Sequence, residues 1–128
     1  MSILPTACVV ALAVSLAGST GPEVPSATRR VPQFENESVR VWRSTIAPNQ
    51  PLSLHPHENG RVIVAIQGGT LRIVKESGVS RSVTWETGNA YWLPADPPGE
   101  RHGDANDGKE PIVVMVVELA PQGPQASR

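Results

Sequence analysis

Cysteine is nearly absent from this chain. Cys8 is the only one, and it lies inside an N-terminal apolar run. The domain behind that run therefore has neither a disulfide nor a thiolate metal site to draw on. An excess of either charge is missing too. Lys+Arg 11 against Asp+Glu 12 leaves nothing to attract nucleic acid and no acidic solvating tail. No glycine-rich phosphate loop, Ser-His-Asp order or nucleophilic cysteine occurs. No repeat of fixed period is visible, and no apolar run reaches the roughly 20 residues that cross a bilayer. What remains is a chain of 128 residues rich in valine, with Gly 11 and Pro 13 breaking up any helix. That length suits one domain, and that composition suits β structure.

The N-terminus reads as a targeting segment. Ile3 to Ala17 is nearly continuous apolar sequence, and Gly18, Ser19 and Thr20 follow it, although no Lys or Arg precedes it. A short apolar run followed by small residues predicts a cleaved secretory signal over 1–20, and hence an exported protein without a stable membrane span. Residues 21–38 carry three prolines and little periodicity, as expected of a linker or of an arm laid on the domain. Residues 39–120 form the domain, and 121–128 a loose polar tail.

Within the domain, short strand-like runs alternate with turn signals. Val39–Ile46, Leu52–His57, Val62–Gln67, Thr70–Lys75, Arg81–Trp85, Ala90–Leu93, Glu100–Asn106 and Ile112–Leu119 are the candidates. About eight short strands and no convincing helix predict an all-β antiparallel sandwich or barrel. The expected core draws on Val41, Ile46, Leu54, Val62, Val64, Ile66, Leu71, Ile73, Val83, Trp92, Val114, Val116 and Leu119. Trp42 and Trp85 read as packing residues. One of Tyr91 and Trp92 should face the core, and the other solvent or a partner.

The domain contains three histidines, His55, His57 and His102. Residues two apart on a strand share a face, so His55 and His57 present their imidazoles side by side. Pro56 between them lacks a backbone donor, which suits an edge position at a barrel mouth. With His102 on a facing strand, the three form a tripod for a divalent transition metal such as Fe, Mn, Ni, Cu or Zn. Asp96, Asp104, Asp107, Glu100 and Glu110 crowd around His102. Such acids either orient an imidazole or form a solvated loop.

The spacing of these residues resembles that of a small single-domain cupin. The first cupin motif runs His-x-His, then Glu after three or four residues, then Gly after six more; here it reads His55-x-His57-x3-Arg61-x6-Gly68. The second runs Gly-x5-Pro-x-Gly-x2-His-x3-Asn. Gly88-x5-Pro94 fits its first half and Pro97-x-Gly99-x2-His102-x3-Asn106 its second, with Ala95-Asp96-Pro97 inserted between them. The resemblance implies a cupin-type β-barrel, that is a double-stranded β-helix or jelly roll, with all three histidines at metal-ligand positions. Gly60, Gly68 and Gly99 are then expected in tight turns.

One position departs from the pattern, because Arg61 fills the slot of the motif's Glu. A guanidinium roughly 6 Å from a divalent ion would repel it by about 5–6 kcal/mol at an effective dielectric near 20. Three readings follow. A three-histidine site survives, as in some cupin-like thiol dioxygenases, with Arg61 holding a substrate carboxylate. Alternatively, no metal binds, and Arg61 with the histidines forms a pocket for a small anion. In the third reading Arg61 is structural, paired with Glu58 or Asp104. Function divides accordingly between a metal-dependent, oxygenase-type enzyme and a non-catalytic small-molecule or structural barrel. Homodimerisation through barrel edges is common among proteins resembling this one, and Ile112–Leu119 is a candidate contact that core burial explains as well. Asn36-Glu37-Ser38 matches a glycosylation acceptor, which bears on function only in a host that glycosylates.

Overall fold

A computed structural model describes residues 27–121. The apolar run read as an export signal, and the tail beyond Pro121, lie outside the described residues. Nine strands follow one another with no helix among the described residues: β1 (Arg29–Glu35), β2 (Val39–Ile46), β3 (Leu52–His55), β4 (Arg61–Gln67), β5 (Gly69–Lys75), β6 (Ser80–Trp85), β7 (Ala90–Leu93), β8 (His102–Ala105) and β9 (Ile112–Leu119). They form a five-stranded sheet in the order β1-β2-β9-β4-β7 and a four-stranded sheet in the order β3-β8-β5-β6. Every ladder is antiparallel. The arm expected ahead of the domain contributes β1, which extends the larger sheet by pairing with β2.

The core lies between the two sheets. Trp42 and Ile46 of β2, Ile63 and Ala65 of β4, Ile112, Val114 and Val116 of β9 meet Leu71, Ile73 and Trp85 of the smaller sheet. β9 is hydrogen-bonded to β2 on one side and to β4 on the other, so burial accounts for its long apolar run. Asn106 fastens one end of the barrel. Its buried amide donates to the carbonyls of Ile46 and Glu110, and its oxygen accepts from the Gly108 N–H.

The phase of β4 differs from expectation. Ile63 and Ala65 point inward, while Val62 and Val64 are only partly buried and Ile66 is 48% exposed. Val62 to Ile66 is apolar at odd and even positions alike, so alternation could not set the phase. Pairing with β9 sets it, with Ile63 opposite Val116 and Ala65 opposite Val114. The same phase turns Arg61 into the barrel. Leu54 and Trp92, expected in the core, are also exposed, and Tyr91 and Leu93 pack against the core instead.

The glycines divide by cause. Gly99 takes φ +78°, as the turn reading requires. Gly68 does not; a Cβ there would sit 2.0 Å from the carbonyl oxygen of Trp85, so close backbone approach excludes a side chain. Gly60 is likewise a close approach, lying under the ring of Trp92.

Candidate metal centre

β3 is an edge strand and ends at His55, since Pro56 has no N–H to continue a ladder. His55 stands in register with His102 of β8. His57 falls just past the strand, and the proline-rich loop after β7 fixes it. The His57 N–H donates to Asp96 Oδ2 at 3.0 Å, and the Asp96 N–H donates to the His57 carbonyl at 2.7 Å. One strand residue, one loop residue and one residue of the neighbouring strand thus converge. Ring centroids are 4.8 Å apart for His55–His57 and His55–His102, and 5.4 Å for His57–His102. One ring nitrogen from each lies within 4.8 Å of the other two, close enough together to hold a metal ion.

The outer nitrogen of each ring is engaged. His55 Nδ1 lies 2.7 Å from the Ser53 carbonyl oxygen. A carbonyl only accepts, so the proton is on Nδ1 and Nε2 keeps its lone pair. That Nε2 is buried and has no hydrogen-bond partner. His57 Nδ1 lies 3.2 Å from Glu118 Oε2, and His102 Nδ1 lies 3.2 Å from Asp96 Oδ2. Carboxylates there draw the proton onto Nδ1 and leave Nε2 as the ligating atom. Glu118 stands in register with Arg40 on one side and Arg61 on the other. Those guanidiniums oppose the rise that burial gives its carboxyl.

Two of the imidazoles are held neutral. Burial, reinforced by the Arg61 charge, lowers the His57 pKa to about 2. Burial also lowers that of His55. Neutral imidazole is the form that binds a metal. The His57 ring lies parallel to Trp42, with centroids 6.4 Å apart.

Arg61 is 5% exposed and reaches inward beside the histidines. One guanidinium nitrogen donates to the Pro94 carbonyl at 3.2 Å, and another lies 3.8 Å from Asp96 Oδ1. Its nearest acidic partner is therefore Asp96, in place of the expected Glu58 or Asp104, although the Asp104 and Glu118 charges also favour its ionised form. These carboxylates act against the charge of Arg61. Asp96 belongs to the inserted Ala95-Asp96-Pro97 and touches His57, His102 and Arg61 at once.

Of the other acids near His102, Asp107 pairs with Arg72 at 2.6 Å and Glu100 with Lys75 at 2.9 Å, away from the histidines. Asp104 faces them. Its two oxygens lie 3.8 Å from His55 Nε2 and 3.8 Å from His102 Nε2. Glu118 escaped the sequence reading altogether. The signal for it was an acid near the end of an otherwise apolar strand.

No protein-family model and no curated protein matches this chain. Among solved structures it is similar to a cupin domain from Bordetella pertussis, with a TM-score of 0.65 and 24% identity over 79% of this chain and 100% of that one. This fold is a cupin barrel. A second likeness is to an RmlC-like cupin family protein with a double-stranded β-helix fold from Methanocaldococcus jannaschii, at a TM-score of 0.57 and 11% identity, covering 88% of this chain and 93% of that one. A third is to a conserved protein with a double-stranded β-helix domain from Klebsiella pneumoniae, at 0.55 and 20%, covering 88% and 100%. Identities this low speak to the cupin fold, and the chemistry rests on the side chains described above.

Proposed function

We propose that this cupin barrel binds a divalent transition metal through His55, His57 and His102, and that the ion takes up a small anionic molecule. The observation that carries the reading is His55 Nε2, a buried lone pair without a partner, facing two further imidazoles. Leaving such a group unsatisfied costs about 1–3 kcal/mol, and a metal ion would satisfy it. When bound, the ion supplies Lewis acidity to an oxygen ligand. The chain's own residues supply the rest. The Ser53 carbonyl, Glu118 and Asp96 hold the three rings by their Nδ1 atoms.

The interior cavity bounded by Arg61, His57, His102 and Trp85 is about 30 Å³. That is about the volume of one water molecule, so the body of any larger ligand must lie outside it. A groove of about 500 Å³ at the barrel mouth, lined by Arg30, Phe34, Trp42 and His57, offers room. Arg30 sits over the Trp42 ring at 5.4 Å and lines the groove. An anion reaching the ion would meet Arg61 from within and Arg30 from the mouth. The apolar run Ile3 to Ala17 supports export of the barrel.

Metal analysis of the purified protein, made without a histidine tag, tests the reading against a His55→Ala/His102→Ala variant. About one equivalent of transition metal, lost in the variant, is expected. A folded barrel that takes up no added metal would refute it and leave a metal-free anion pocket around Arg61.

A further inference from the structure

We infer that Asp104 is a fourth metal ligand, supplying from β8 the carboxylate that the Arg61 position on β4 cannot. The inference rests on the three-histidine reading above and adds a residue to that site. Asp104 follows His102 by two residues on one strand, so both side chains leave the same face of the sheet. β8 pairs with β3 so that His102 is opposite His55 and Asp104 is opposite Leu52. His55, His102 and Asp104 therefore come from one two-stranded ladder, and only His57 comes from a loop.

Three carboxylates approach the histidines, and the nitrogen each one faces separates their roles. Glu118 faces Nδ1 of His57, and Asp96 faces Nδ1 of His102. Those are the outer nitrogens, so these acids are positioning residues. Asp104 alone faces Nε2 atoms, with one oxygen 3.8 Å from His55 Nε2 and the other 3.8 Å from His102 Nε2. Its side chain is 13% exposed. Among the described residues its carboxylate makes no other ion pair, although the charges of Arg30 and Arg61 act on it from farther away. A mostly buried carboxylate beside two imidazole lone pairs is placed to share a cation held among them. An ion held there would bind three neutral imidazoles and one carboxylate, a donor set suited to a divalent transition metal. Asp104 would also compensate part of the ion's charge.

The test is a Co(II) titration of the full chain, read by the visible d–d absorption and by competition with a chelator. Wild type is compared with Asp104→Asn and Asp104→Glu. Asp104→Asn keeps the side-chain shape and loses the anionic donor. It should bind Co(II) at least tenfold more weakly, with an altered d–d spectrum. Asp104→Glu keeps a carboxylate and should recover much of the affinity while remaining folded. Unchanged affinity and spectrum in Asp104→Asn would overturn the assignment and leave the three-histidine site standing. A wild-type chain that binds no Co(II) would overturn the assignment together with the metal reading beneath it.

Discussion

Replacing Asp96 with alanine would leave the buried guanidinium of Arg61 without its nearest carboxylate, and the size of the effect follows from the contacts. Arg61 and Asp96 are 6% and 16% exposed at their side chains, with nitrogen and oxygen 3.8 Å apart. At an effective dielectric near 20, that separation corresponds to about 4 kcal/mol of attraction. Breaking a buried pair from one side typically destabilises by about 3–5 kcal/mol, because the remaining charge is uncompensated. The variant also strands the His57 N–H, which donates to Asp96 at 3.0 Å. For a domain of roughly 100 residues, 1 kcal/mol moves the melting temperature by about 4–8 °C. Asp96→Ala should therefore lower it by at least about 12 °C in calorimetry of the metal-free protein. Asp96→Asn retains an acceptor for the His57 N–H and isolates the charge component. Arg61→Met removes the stranded cation, so the double variant Arg61→Met/Asp96→Ala should be less destabilised than the two single effects summed. A shift below about 4 °C for Asp96→Ala, or strict additivity in the cycle, would refute the view that Asp96 neutralises Arg61.

Two further predictions concern the same scaffold. Burial keeps the folded-state pKa of His57 at about 2 and lowers that of His55, whereas unfolded histidine titrates near 6.5. The unfolded chain thus binds protons first. Stability of the metal-free barrel should be full above pH about 6.5 and fall as pH drops, by up to about 1.4 kcal/mol per unit for each such histidine. Glu118, raised by burial, works in the opposite sense where its own range overlaps. Urea midpoints measured from pH 7 to 5 check this, and a flat profile would contradict it. Gly68→Ala should destabilise more than Gly78→Ala. The first brings a Cβ to 2.0 Å from the Trp85 carbonyl oxygen, while the second meets nothing within 4 Å and bears only the strain of φ +89°. Denaturant midpoints of the two variants decide the order.

The strands were legible because their boundaries are marked locally. Val39–Ile46, Ala90–Leu93 and Ile112–Leu119 fall where turn residues and alternation place them. The three histidines were legible through spacing. What spacing could not give was phase and partnership. The apolar run Val62 to Ile66 fits either face, so the inward turn of Arg61 became visible only through its ladder with β9. Asp96 and Glu118 hold His57 from 39 and 61 residues away along the chain, and contacts at that range leave no local pattern. The insertion Ala95-Asp96-Pro97 looked like a gap between two halves of a motif. In the fold it carries the acid that ties His57, His102 and Arg61 together.

The central claim is that three imidazoles, each held by Nδ1, offer their Nε2 atoms to one ion. Ring nitrogen NMR of histidine-labelled protein, recorded before and after addition of Zn(II), tests it most directly. The account predicts Nδ1–H tautomers for His55, His57 and His102 beforehand, and a shift of all three Nε2 resonances that is complete near one equivalent. Nε2–H tautomers, or ring resonances that do not respond to Zn(II), would contradict it.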